Sequence, residues 1–340
     1  PIWALIEGEV IHGITWHLID GGIDTGDILV QRSIDILPED TALSLNTKCY
    51  EAGLISFPDL LEELVGGLPN RRAQNSAQRR YHALTDRPEA NGVLRFDQPA
   101  EQALRLIRAL DHGSYWNPIC TPKLRMKGMV VHIGTATVTP SSAVVGTVID
   151  VTDTSLTITF ADAALCLNDL TGGDGKPVCP ANHITLGETL SDLTEAESTD
   201  ITACMQRVAK HDGNWRRTLL GTVPLSLPFV KSGGLAAVRT EPTQIVADHL
   251  AQALAILTDG MSAQADTSLA LSNPSLLAGA HMGLVCPWVP VSAATLRQCI
   301  PTIETGFATD LPLRDLSLSP LLTPGLGLSL NAGAIPGAAI

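Results

Sequence analysis

No run of about 18 consecutive apolar residues, the length a membrane-crossing helix needs, occurs in this sequence of 340 residues. The apolar stretch 321–340 is broken by Pro324, Gly325, Gly327 and Pro336, so it offers no transmembrane helix. Basic residues are scarce: 22 Lys and Arg stand against 35 Asp and Glu, a net charge of −13 with a pI near 5.0. That balance excludes a protein whose whole surface binds nucleic acid, because neutralising phosphates requires clustered cations. The seven cysteines include no Cys-x-x-Cys pair and no His at metal-ligand spacing, so no metal site is expected. Residues 1–10 have neither a basic start nor a long apolar run, so no secretion signal is visible. Free thiols without a signal place the chain in the cytoplasm, away from membranes.

What is present reads as two or three folding units with ample apolar sequence for cores. Ile14, Trp16 and Leu18 alternate before a Gly/Asp-rich turn, and Ile28 and Val30 follow it, which predicts strand, loop, strand. From Thr41 to Val65, Leu43, Leu54, Phe57, Leu60, Leu61 and Leu64 fall near helical spacing. That helix is expected to bend before Pro58 and to stop at Gly66-Gly67. Residues 68–90 are polar and Pro/Arg-containing, as in a linker.

Beyond it, Ala103, Leu106, Ile107 and Leu110 define one face of an amphipathic helix, with Arg105 and Arg108 on the other. Then Val130/His132, Ala136/Val138, Val148/Val151, Leu156/Ile158 and Leu165/Leu167 alternate in short segments, which suits a small barrel of about five strands. The composition turns helical again from Asp200, and 321–340 reads as poorly ordered.

The densest motif runs from His12 to Leu29: His12-Gly13-Ile14-Thr15-Trp16-His17, then Asp20-Gly21-Gly22-Ile23-Asp24-Thr25-Gly26-Asp27. From the residues alone it is a hairpin with a glycine-rich turn. The segment also resembles the signature of the 10-formyltetrahydrofolate-dependent formyltransferases, through Gly-x-Asp-Thr-Gly-Asp at Gly22–Asp27 and Gly-x-Thr-x-His at Gly13–His17. Trp3 to Glu9 is similar to the helix end that precedes the signature in that family.

The resemblance implies formyl transfer from 10-formyltetrahydrofolate to an amine, carried by an Asn, a His and an Asp. Asp24 matches the aspartate. Gly22, Ile23, Thr25 and Gly26 would line the folate, the glycines allowing close approach to the pteridine ring. His17 would either face the amine pocket or serve only in packing. Asp27 is expected to cap the turn, and His12 to lie at the surface. The family's Ser-Leu-Leu-Pro and Asn-x-His segments have no match here, since Asn182-His183 has the wrong spacing. An N-terminally truncated, weakly active fragment is therefore expected.

The resemblance continues through 104–110, Asn117-Pro118, Gly146-Thr147-Val148 and Gly175-Lys176-Pro177 into the family's C-terminal domain. Residues 71–130 hold 11 Lys/Arg against 5 Asp/Glu, so either a local polyanion contact or a solvated linker fits there. About 140 residues follow the barrel. In them Asn214–Leu220, Pro224–Phe229, Pro287–Val291 and Gly306–Leu311 look like parts of a non-ribosomal peptide synthetase. This likeness implies an adenylation domain in cis and, as acceptor, an amino acid on the phosphopantetheine of a peptidyl carrier protein. Nucleic acid is then not a partner. A methionyl-tRNA formyltransferase-like enzyme, with tRNA as acceptor, and a non-catalytic binding module that keeps the barrel are the alternatives.

The expected fold class is α/β plus β. A Rossmann-like C-terminal remnant spans 1–67, a linker 68–90, an OB-like barrel 91–190, an incomplete adenylation- or condensation-linked α/β region 200–320, and a tail 321–340.

Overall fold

The structure is a computed structural model that describes residues 1–115, 117, 119–127, 129–172 and 177–209, together with the backbone of two short strands further on. Two compact units are distinguished: Pro1–Thr171 with Pro177–Glu195, and Gly172–Lys176 with Ala196–Ile340.

The first unit opens with α1 (Ile2–Ile6), then β1 (Ile11–His17) and β2 (Ile28–Asp35), which pair antiparallel from Ile11↔Asp35 to His17↔Ile28 with a register shift between Trp16 and His17. Next comes α2 (Ala42–Val65), one helix that contains Pro58. It starts where expected because Thr41 and Ser44 form a reciprocal capping box, satisfying two amides that the first turn leaves unpaired. Gly66 ends it, and Gly67 takes a left-handed φ of +80° that suits glycine. Trp16 Nε1 donates to Ser56 Oγ at 2.9 Å and ties β1 to α2. A small core of Leu5, Ala42, Leu45 and Ala109 joins α1 and α2 to α3 (Ala100–Ala109).

The amphipathic face expected for α3 is buried through Ala103, Leu104 and Ile107. Its first turn is capped from afar: the Asp162 carboxylate accepts the Ala100 amide at 2.8 Å. Asn117 holds the following loop through Leu110 O, Cys120 O and the amides of Ile119 and Cys120, which accounts for its full hydrogen-bonding capacity.

Six strands follow: β3 (Lys123–Met126), β4 (Met129–His132), β5 (Thr135–Thr139), β6 (Val148–Val151), β7 (Ser155–Thr159) and β8 (Ala164–Asn168). They form a β3–β4 hairpin and a four-stranded antiparallel sheet ordered β5–β8–β7–β6. The expectation of about five strands omitted β3, whose four residues Lys-Leu-Arg-Met carry two charges and too little alternation to register. The main core packs Leu104 and Ile107 of α3 against Leu124, Val131, Leu156, Ile158, Leu165 and Leu167.

α4 (Glu195–Ala209), in the second unit from Ala196 on, carries buried Ile201 and Met205, and β9 (Val285–Pro287) pairs antiparallel with β10 (Asp315–Ser317). The synthetase-like segments at 214–220, 224–229, 288–291 and 306–311 lie outside the described residues. Among the described residues no helix is long and apolar enough to cross a membrane.

Candidate active site

The register shift at the end of β1 releases the chain into the loop 18–27, which is closed at its base by the Leu18 amide donating to Asp27 O at 2.9 Å. Asp20 organises the interior of the loop. Its Oδ1 accepts from the Gly22 amide at 2.9 Å and from the Thr25 hydroxyl at 2.6 Å. The Thr25 hydroxyl foremost, then the Gly22 amide, hold the Asp20 carboxyl below its usual range by favouring the charged form. Gly26 is buried, and a Cβ there would lie 1.7 Å from the Leu18 carbonyl oxygen, so only glycine fits. A Cβ on Gly22 would meet Thr25 Oγ1 at 2.2 Å. Both glycines are thus required by the loop's own packing.

Asp24 stands at the exposed apex, with 79% of its side chain accessible and a left-handed φ of +51°. Its Oδ1 is 3.6 Å from His17 Nε2, within ion-pair range and longer than a hydrogen bond. His17 is less exposed, at 26%, and its Nδ1 lies 2.8 Å from Leu18 O. That carbonyl only accepts, so the proton stands on Nδ1 and the other ring nitrogen, Nε2, faces Asp24.

All the residues singled out from the sequence, His17, Gly22, Ile23, Asp24, Thr25 and Gly26, therefore lie on this loop and the strand that enters it. The structure brings two of them, His17 and Asp24, side chain to side chain. Two expectations are corrected. The turn is capped by Asp20, whereas Asp27 reaches out to Arg71 Nε at 2.5 Å. His12 is half-buried rather than at the surface, and burial draws its pKa down.

The segment read as a linker supplies contacts that no local pattern announced. Arg72 exchanges both backbone hydrogen bonds with Ile28, at 2.7 and 3.0 Å, extending the sheet by one bridge. Gln74 Nε2 donates to Asp24 O at 3.1 Å and Gly26 O at 2.6 Å, and Arg79 donates to Ile23 O at 2.8 Å. Other cations of the basic stretch are engaged as well. Arg80 pairs with Glu7 and Glu9, Arg95 with Glu89, Asp97 and Glu195, Arg125 reaches Asp192 O, Lys127 pairs with Glu188, and Lys123 is fully buried.

Beside the loop's root, between β1 and α2, lies an apolar groove of about 380 Å³ lined by Ile14, Trp16, Cys49, Tyr50, Leu54 and Phe57. Among the described residues no three His, Cys, Asp or Glu side chains are grouped to hold a metal ion.

Residues 2–61 match the family model described as formyl transferase, and residues 88–185 match formyl transferase, C-terminal domain. Methionyl-tRNA formyltransferase of Koribacter versatilis (strain Ellin345) is 32% identical over 130 residues, 38% of this chain and 40% of that protein. Cytosolic 10-formyltetrahydrofolate dehydrogenase of Mus musculus is 30% identical over 244 residues, 68% of this chain and 26% of that protein. A crystal structure of an N-formyltransferase from Helicobacter canadensis, in complex with folinic acid and dTDP-3-aminofucose, covers 50% of this chain and 60% of its own at 22% identity, with a TM-score of 0.41. The chain spans between 25% and 55% of the length of the curated relatives named among its matches. The loop therefore lies within residues 2–61, which match the formyl transferase model, and the strands β3–β8 lie within residues 88–185, which match its C-terminal-domain counterpart.

Proposed function

We propose that this chain is part of an enzyme that transfers a formyl group from 10-formyltetrahydrofolate to an amine, and that the amine is an aminoacyl group on a carrier protein's phosphopantetheine. The observation that carries the reaction is the His17–Asp24 pair on a glycine-held loop, inside a segment of formyl transferase sequence.

In this reaction the amine nitrogen attacks the formyl carbon, negative charge gathers on the formyl oxygen, and the nitrogen must shed a proton. The exposed Asp24 carboxylate accepts that proton through water. His17 Nε2, 3.6 Å behind, keeps the carboxylate oriented toward the amine. The bond from formyl carbon to folate nitrogen then breaks, and the proton taken up at Asp24 passes to that nitrogen as the folate leaves. Gly22, Ile23, Thr25 and Gly26 are proposed as the folate-facing backbone.

The acceptor rests on two supports. The synthetase-like segments downstream favour a carrier-bound amine, which a fused domain meets at high effective concentration without strong intrinsic affinity. The arginines and lysines of 71–127 are largely taken up by internal partners, which weakens the case for a tRNA-binding face. The name of the Koribacter versatilis relative favours tRNA as the second reading. The test is a direct competition at physiological salt between carrier-bound aminoacyl substrate and charged initiator tRNA for the formyl group. Preferential formylation of the tRNA would replace the carrier reading.

A further inference from the structure

Asp24 presents its carboxylate from a backbone conformation that L-residues adopt reluctantly, because at φ +51° the Cβ crowds the following carbonyl. Left to itself the loop would relax Asp24 to negative φ, swinging the Cβ and carrying the carboxylate away from His17. The contacts around the loop divide unevenly in holding it. Asp20 with Gly22 and Thr25 braces one side, and Arg79 takes the Ile23 carbonyl. Neither grips the peptide that leaves Asp24.

Gln74 does. One amide nitrogen, with its two hydrogens, donates to the carbonyls of Asp24 and Gly26, spanning Thr25 and so restraining the backbone on the far side of Asp24. Gln74 is half-buried while Arg71, Arg72 and Arg79 around it are exposed, so it is the inward-facing member of the segment. The Arg72 bridge to Ile28 fixes the backbone two residues before it, and this delivers the side chain in register.

We infer that Gln74 is a positioning residue that holds Asp24 in its left-handed conformation facing His17, so that the segment 71–79 is a built part of the site. The inference rests on the role given above to Asp24, and its test separates the two.

Hydrogen–deuterium exchange on the full 340-residue chain follows the peptide covering the loop 18–27. Losing two neutral hydrogen bonds should raise exchange there by about tenfold or more in Gln74→Ala. Gln74→Glu has the same shape but no amide donor, so it should behave like Gln74→Ala if the donor matters, and like the parent if only packing does. Unchanged exchange over β5–β8 shows that both variants are folded. A loop that exchanges at the parental rate in both variants overturns the inference.

The second arm measures single-turnover formyl transfer from 10-formyltetrahydrofolate to the carrier-bound aminoacyl group at saturating concentrations of both. Gln74→Ala should lower the rate constant with little change in the half-saturating concentration of the amine. Asp24→Asn should then cost far less in the Gln74→Ala background than in the parent. Fully additive losses mean that Gln74 does not act through Asp24, and overturn the inference. A parent chain that transfers no formyl group, with a loop that still loosens in both Gln74 variants, removes the reaction and leaves the clamp standing.

Discussion

Acidification should destabilise the first unit through one histidine. His132 ends β4, is 7% exposed, and lies opposite Lys123 in the β3–β4 register, so the two side chains share a face. Its Nδ1 is 2.6 Å from the Thr121 hydroxyl. Burial foremost, then the Lys123 charge, pushes its pKa from the ordinary 6.5 down to about 3. A base whose folded pKa is depressed stays neutral in the native state while the unfolded chain takes up a proton. Stability is therefore full above about pH 6.5 and falls as pH drops toward about 3. At about pH 5, some 1.5 units below the ordinary value, the loss is roughly 2 kcal/mol at 1.4 kcal/mol per unit. That corresponds to a fall in Tm of about 4–8 °C for a unit of this size.

The assay is urea unfolding of the full chain at about pH 7 and about pH 5, beside His132→Gln, whose amide can still meet Thr121 but does not titrate. Carboxylates contribute to both proteins, so the difference between their pH slopes isolates His132. Equal slopes would mean that His132 is protonated in the native state, and would refute the burial argument.

In a protein that performs formyl transfer, Asp24→Asn should keep the fold and lower turnover by about 10²-fold or more, as loss of a proton-transfer partner does; equal turnover moves that role elsewhere. Asp27→Asn breaks only the half-exposed pair with Arg71 and should cost less than about 1 kcal/mol, read by thermal melting, with little effect on the chemistry. Gly26→Ala should destabilise by roughly 2 kcal/mol or more, since its Cβ would lie 1.7 Å from the Leu18 carbonyl; an unchanged Tm would show a loop of different shape. Lys123, fully buried with its pKa lowered from 10.5 to about 8, stays charged in the unfolded chain after it has neutralised in the native one, so stability should rise from about pH 8 to about pH 9. Above that the buried Cys120 thiol, pushed up by burial, works in the opposite direction, and the rise should vanish in Lys123→Met. Because no Asn-x-His stands in this sequence to complete the triad that the family resemblance implies, calorimetry should find affinity for 10-formyltetrahydrofolate weaker than micromolar; tight binding with steady turnover would place the active site elsewhere.

The elements legible in the sequence are those set by local rules. The helical spacing from Thr41 and the stop at Gly66-Gly67 bounded α2, the 3.6-residue period located α3, and alternation located five of the six strands β3–β8, because each depends on residues a few positions apart. The glycine-rich motif announced the loop for the same reason: Gly22 and Gly26 answer to Thr25 and Leu18, within eight positions of them.

Tertiary structure alone decided what the loop leans on. Gln74 meets Asp24 and Gly26 across 50 and 48 positions, and Arg71 meets Asp27 across 44, separations at which no periodicity survives. It also decided the charge of the region. The excess of cations in 71–130 looked available to a polyanion until their partners, Glu7, Glu9, Asp27, Glu188 and Glu195 among them, were brought in from distant segments. The buried Lys123 and His132 were unreadable because lysine and histidine ordinarily keep water. Only the folded unit, with Asn91 O, Thr121 O and the Thr121 hydroxyl in place, supplies the partners that let them give it up.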